Sequence, residues 1–445
     1  RVKIKEYIVR NKKGQSSLWP FGISGDLPIM TISISDERDI PILKETIKAH
    51  EFLRMKGMNV DLVILNVDES NYLQPLRTAI TNLVEGSNGR FLLGKRGGIF
   101  IINAANISQE DKDLLLAAST LVFKAEAGSI TKQLDEIAIK EEYHKDVNCT
   151  NSIKNCELPH VENCLMFNGY GGFSDDGSEY IMSLRKDLST PAPWVNVVAN
   201  PNFGFIVSER GGGYTWAENS REYKLTQWTN DPISDEAQEI IYLEDMDEEY
   251  KWAITPAASA NDEPWTVRHG WGYSVFNKDC YGLKQELTMF VPRYDKLKIN
   301  ILKIKNKESR KKRLRLCYFM EPVLGVNQKE TKPHIIIKYD SEINGLTMVN
   351  NYNTDFPGRI VFISSSESIS DYKNNKLEFL KLLDKNTDVD LDIGYEPCGA
   401  IMVEVTLDDM EEKSIGFFMG QCSSNENIKA LLKKYKDMVV AEKEL

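Results

Sequence analysis

From residue 179 to residue 420 the chain is written almost entirely in short β-rich runs, and no other feature constrains its fold as much. Runs at 195–199, 204–208, 239–243, 251–254, 273–277, 281–291, 296–304, 312–321, 334–338, 345–350, 359–363, 401–407 and 414–420 are predicted as strands. Asn168-Gly169-Tyr170-Gly171-Gly172-Phe173, an Asp175-Asp176-Gly177 turn and Glu179–Leu184 read as a hairpin that opens the series. Few helical stretches interrupt it. The expectation is one large antiparallel β-sandwich over 160–424, a size that single sandwich domains reach.

The first part of the chain has a different period. Ile29–Ile34, Val60–Leu65, Gly98–Ile102 and Leu121–Phe123 are apolar runs of the buried, parallel-sheet kind. Helical patterns separate them. Asp36 is a candidate cap, and Ile42, Leu43, Ile47, His50 and Leu53 share one side of a helix over 40–58. A second helix covers about 72–83, and Ser108-Gln109-Glu110-Asp111 has the form of a capping box before Leu114, Leu115 and Leu116. The class is therefore α+β and multi-domain: a small α/β layer with a parallel sheet, then the sandwich. The expected boundaries are an extension over 1–28, the α/β domain over 29–126, a helix and linker over 127–159, the sandwich, and a helix from 425 to 445. Ile428, Leu431, Leu432, Tyr435 and Val439 form the apolar side of that last helix.

Several functions are disfavoured. The α/β layer has no glycine-rich phosphate loop leading into a helix; Gly94-Lys95-Arg96-Gly97-Gly98 leads into a strand and reads as a turn. It also lacks a DxD at a strand end, which argues against a sugar-nucleotide transferase; Asp245-Met246-Asp247 lies in the sandwich. The net charge of −11 opposes nucleic-acid binding, and the basic run Lys305–Arg315 reads as a solvated hairpin tip. No apolar run of eighteen residues occurs, so no membrane partner is expected. Cysteines at 149, 156, 164, 280, 317, 398 and 422 are odd in number and form no CxxC. That spacing predicts neither structural zinc nor a disulfide framework, and a reducing cytoplasm fits it. His144 and His160 lie near Cys149, Cys156 and Cys164, but the spacing matches no standard metal site, so a linker is expected there.

Six of the seven tryptophans fall between residues 194 and 271. They serve either as packing between sheets or as platforms for sugar rings, whose C–H faces stack on aromatics. The same stretch is rich in planar polar groups, as a polyol site requires: Asn219, Arg221, Glu222, Asn230, Asp231, Arg268 and His269. A glycosidase pair drawn from Glu209, Glu222, Asp231 and Asp245 is a weaker reading in so charged a chain.

The block Pro193-Trp194-Val195-Asn196-Val197, Ala199-Asn200-Pro201-Asn202-Phe203-Gly204, Gly213-Tyr214-Thr215-Trp216-Ala217-Glu218-Asn219-Ser220-Arg221-Glu222, Leu225–Pro232 and Arg268-His269-Gly270-Trp271-Gly272-Tyr273 resembles the β-sandwich domain of glycoside hydrolase family 94. Leu18–Pro28, Val60–Asn66 and Pro397–Ala400 resemble flanking regions in the β-1,2-glucan branch of that family. The resemblance implies a supersandwich of the galactose-mutarotase-like type. It also implies an inverting phosphorylase reaction, with inorganic phosphate as co-substrate and no metal or other cofactor. The family's general acid lies in an (α/α)6 barrel after the sandwich; its motif is expected to be missing here, so no catalytic residue is assigned. The implied partners are a β-glucan oligosaccharide, that barrel and a second subunit. Candidate substrate-binding residues are Trp216, Asn219, Arg221, Glu222, Trp228, Asn230, Asp231, Arg268, His269 and Tyr273, carried on what are expected to be long loops at Tyr214–Asp231 and Arg268–Tyr273. Two alternatives stand beside this. Arg221, Glu222, Asp231 and Arg268 read equally as one structural ion-pair cluster, and the chain alternatively as a carbohydrate-binding or scaffold module.

Overall fold

The computed structural model describes residues 4–67, 75–135, 161, 164–185, 190–258, 264–383 and 396–445. They fall into two compact units, the first holding residues up to 135 together with Asn350–Pro357, the second the remainder.

The first unit is a four-stranded parallel sheet in the order Ile99–Asn103, Asp61–Asn66, Ile29–Ile34, Leu121–Lys124. Side chains of alternate parity point to opposite faces, and both faces are buried. Ile32, Ile34, Leu62 and Ile64 meet the helices Ile40–Met55 and Pro75–Glu85. Val63, Leu65 and Phe100 meet Leu114 and Leu115 of the helix Gln109–Ala118, together with Leu18 and Ile23. The expected cap is present: Ser108 Oγ accepts from the Asp111 amide at 3.1 Å. Asp36 caps a short 3-10 turn, Glu37–Asp39, just ahead of the first long helix. Gly94–Gly98 is a turn, as expected. A Cβ at Gly98 would lie 2.0 Å from the Leu92 carbonyl oxygen, so only glycine fits there.

The second unit is antiparallel throughout its paired strands. A ten-stranded sheet runs Ile335–Asp340, Gly345–Asn350, Ile360–Ser365, Glu412–Cys422, Leu297–Asn306, Leu283–Phe290, Tyr273–Cys280, Trp265–Gly270, Glu179–Leu184, Gly171–Phe173. One five-stranded sheet holds Pro322–Gly325, Lys224–Thr226, Gly213–Ala217, Phe203–Ser208 and Val195–Asn200. Another holds Tyr250–Ala253, Glu239–Asp245, Lys312–Met320, Pro397–Leu407 and Ile369–Asn375. The expected single helix over 425–445 is two, Asn425–Tyr435 and Met438–Glu442; the first lays Ile428, Leu432 and Tyr435 against Leu297, Ile299, Phe362 and Phe418, whereas Val439 on the second is exposed.

Two corrections follow. Tyr214–Asp231 and Arg268–Tyr273 are not long loops, because Gly213–Ala217, Lys224–Thr226, Trp265–Gly270 and Tyr273–Cys280 are strands. Their polar and glycine-rich composition hid a β pattern whose partners supply the missing apolar contacts. Cys280, buried at the end of its strand, is disulfide-bonded, a bond that the cysteine spacing, which predicts no disulfide framework, did not signal. The other described cysteines, Cys164, Cys317, Cys398 and Cys422, are free thiols. Cys149, Cys156, His144 and His160 lie outside the described residues.

One buried carboxylate links all three sheets. Glu239 accepts from Thr215 Oγ1 at 2.5 Å and Thr226 Oγ1 at 2.7 Å, and pairs with Lys298 Nζ at 2.7 Å. The Lys298 ammonium also lies 4.3 Å from the Phe205 ring centroid. Burial pushes the Glu239 carboxyl upward, but Lys298 and the two hydroxyls outweigh it and hold the group below its usual range. Lys298→Met therefore leaves an uncompensated buried charge, and unfolding free energy measured in urea should fall by about 3–5 kcal/mol. Combining it with Glu239→Met should recover most of that loss. Equal losses in the single and double variants would show that the pair is not the source.

Candidate functional site

The ten residues singled out from the sequence form two groups. The first lies on and after the strand Gly213–Ala217. Tyr214 and Trp216 have ring centroids 5.4 Å apart, and Trp228 stacks on Tyr214 at 5.0 Å and 19°. Trp216 faces Gly204 across the strand pair, and a Cβ on Gly204 would lie 2.6 Å from Trp216 Cζ2. The indole thus lies flat over a glycine backbone, and Trp216 and Trp228 stay half-buried. Asn219 Oδ1 accepts from the Arg221 and Glu222 amides, both at 2.9 Å, closing the turn. Arg221 and Glu222 pair with each other at 3.4 Å, with Arg221 largely in solvent. Asn230 is exposed in a left-handed conformation, φ 51°. Asp231 accepts from the Ile233 amide and the Ser234 hydroxyl, which hold its carboxyl below the usual range.

The second group lies on the hairpin Trp265–Gly270 and Tyr273–Cys280. Strand alternation separates Arg268 from its neighbour His269. Arg268 bonds Glu179 Oε1 and Glu286 Oε2, each at 3.3 Å. The Tyr273 hydroxyl donates to Glu179 at 2.7 Å, and Asn277 Nδ2 to Glu286 at 2.9 Å. Burial, then the Glu179 carboxylate, pushes the Tyr273 phenol up to about 12. His269 takes the other face. Its Nε2 is 3.2 Å from the Trp194 carbonyl oxygen and its Nδ1 is 3.0 Å from Ser274 Oγ. A carbonyl only accepts, so Nε2 carries the proton and Nδ1 accepts from the hydroxyl. Burial holds this ring neutral, with its pKa pushed down to about 4.

Arg221, Glu222, Asp231 and Arg268 therefore do not make one ion-pair cluster: the first two pair locally, Asp231 caps a turn, and Arg268 bridges two glutamates on another sheet. Nor do the four weighed carboxylates form a catalytic couple. Glu209 bonds the Thr190 hydroxyl and the Trp194 amide, and Asp245 is buried against Lys312 Nζ at 3.0 Å. Glu222 and Asp231 are engaged as described.

A cleft of about 580 Å³ was not legible in the sequence. Its wall is Glu218, which sits at φ 63° and pairs with Lys296 Nζ at 2.7 Å and with Arg359 through Nε at 2.9 Å and Nη2 at 3.2 Å. Burial raises the Glu218 pKa, but the two cations more than reverse this. Gln421, Ser423 and Asn427 add amides and a hydroxyl, and Tyr294 stands at the edge. Glu218 adjoins the tryptophan motif, whereas its partners come from turns far along the chain that carry no local signal.

Residues 178–438 match the family model for the glycosyl hydrolase 94 supersandwich domain. The chain is 32% identical to the cyclic beta-(1,2)-glucan synthase NdvB of Rhizobium meliloti (strain 1021), over 95% of this chain and 16% of that protein. It is 28% identical to the N,N'-diacetylchitobiose phosphorylase of Vibrio proteolyticus, over 56% of this chain and 33% of that one. The chain thus spans a third or less of either relative. A galactose mutarotase-like protein from Lactobacillus casei ATCC 334 overlaps 52% of the chain and all of its own at 10% identity, with a TM-score of 0.31, too slight a likeness to bear on function.

The His269 geometry gives a pH dependence with a definite sign. An unfolded histidine titrates near 6.5 and this one near 4, so the unfolded chain takes up its proton first. The contribution is complete above pH 6.5 and is lost as pH falls toward 4. Tm of wild type should therefore drop more steeply across this window than Tm of His269→Gln; parallel curves would contradict a neutral, buried His269.

Proposed function

The chain belongs to glycosyl hydrolase family 94, and on that premise we propose that it is the sandwich-bearing, non-catalytic part of an inverting β-glucan phosphorylase. In the proposed reaction phosphate attacks the anomeric carbon of a β-1,2-gluco-oligosaccharide while an acid protonates the leaving oxygen, giving glucose 1-phosphate. The acid belongs to an (α/α)6 domain of the same protein. This chain shapes the carbohydrate site, through the Tyr214–Trp216–Trp228 aromatics and the polar groups around Arg268.

The observation that carries the reading is the engagement of the carboxylates. A glycoside-cleaving acid must project into an open site, about 5–9.5 Å from its counterpart when two carboxylates share the work. Glu209, Glu222, Asp231 and Asp245 are each held by separate structural partners instead. The β-1,2 linkage is supported by the likeness to the glucan synthase over nearly the whole chain. Incubated with phosphate and short β-1,2-gluco-oligosaccharides, this chain should release no glucose 1-phosphate in an enzyme-coupled assay. Release at a rate above the buffer blank would place a catalytic acid within these residues and overturn the proposal.

A further inference from the structure

Every charged side chain that lines the cleft beside Glu218 is engaged in an ion pair, three cations with two carboxylates. Lys296 and Arg359 are both paired with Glu218, and Lys434 Nζ is 2.8 Å from Asp295 Oδ2, which also accepts from the Tyr435 hydroxyl at 2.6 Å. An anion entering here would have to displace a carboxylate from each cation it used. A neutral ligand rich in hydroxyls meets no such competition, because a hydroxyl can donate to a carboxylate and accept from a cation without replacing either member of the pair.

Three further features suit such a ligand. Glu218 is held in a left-handed backbone conformation, a strained arrangement for a non-glycine residue. Gln421, nearly fully buried, and Asn427 line the same space, their amides fixed by hydrogen bonds from Gln421 Nε2 to the Cys422 carbonyl at 3.1 Å and from Asn427 Nδ2 to Ser423 Oγ at 3.2 Å. Tyr294 is 81% exposed at the edge, an aromatic face held out of the core, with the Arg293 guanidinium 5.5 Å from its ring centroid. The volume of about 580 Å³ lies in the range of small-molecule sites, roughly 300–1,000 Å³.

We propose that the cleft bounded by Glu218, Asn427 and Tyr294 binds a neutral pyranose unit of a glucan chain. The proposal rests on the carbohydrate reading above for the class of sugar, and on the cleft for its place. The test is calorimetric titration of this chain with short β-1,2-gluco-oligosaccharides, and separately with inorganic phosphate. Two variants probe the cleft: Tyr294→Ala at its edge, and Ala430→Trp, which fills it from an exposed position on the helix Asn425–Tyr435. Far-UV circular dichroism and Tm check that both fold. Each should weaken sugar binding by about tenfold or more, as removal or blocking of an aromatic anchor does, while phosphate gives no saturable heat. Sugar binding unchanged in both cleft variants would overturn the proposal. So would no sugar binding by wild type, or phosphate binding that Ala430→Trp abolishes. Failure of the phosphorylase reading appears separately, as glucose 1-phosphate release by this chain.

Discussion

The architecture of the second unit depends on the carboxylate of Glu239. It is buried, and it accepts from two threonines on one sheet and pairs with a lysine on another while belonging to a third. A buried charge tolerates little misalignment, because removing one partner costs more than the pair itself contributes. The contact therefore fixes how three sheets stack, which apolar packing alone leaves freer to slide.

Its consequences reach the candidate site through strand alternation. Thr215 must face Glu239, so its neighbours Tyr214 and Trp216 must turn to the other side of the strand, where Tyr214 meets both Trp216 and Trp228. Glu218 follows the strand, and its left-handed conformation directs its carboxylate to Lys296 and Arg359. Lys296 lies two residues before Lys298, the partner of Glu239. One internal contact thus anchors both the aromatic face and the cleft wall. Glycines complete the arrangement: Gly204 lies under Trp216, and a Cβ at Gly270 would lie 2.4 Å from the Tyr273 ring.

Much of the fold was legible in the sequence. The parallel strands of the first unit are continuous apolar runs because both faces are covered, and the Ser108 cap is a local signal that tertiary structure left intact. The strands Gly213–Ala217 and Trp265–Gly270 are not legible as strands, since their glycines and polar residues are compensated only by neighbours on other strands. The site was legible as composition and not as geometry. Tryptophans and amides clustered in sequence, yet Arg268 and Trp216 belong to different sheets. His269, by residue type a sugar ligand, is enclosed as a neutral structural group. The Glu218 cleft draws on residues 218, 296, 359 and 421, a convergence that only folding creates.

The central claim is that the second unit carries a carbohydrate site built from the Gly213–Ala217 strand and the turns around it. Hydrogen–deuterium exchange of the chain, with and without short β-1,2-gluco-oligosaccharides, tests it most directly. The account predicts that sugar slows exchange in peptides covering 214–223 and 421–434 and leaves the parallel-sheet unit unchanged. Protection confined to 29–126, with those two segments unaffected, would contradict it.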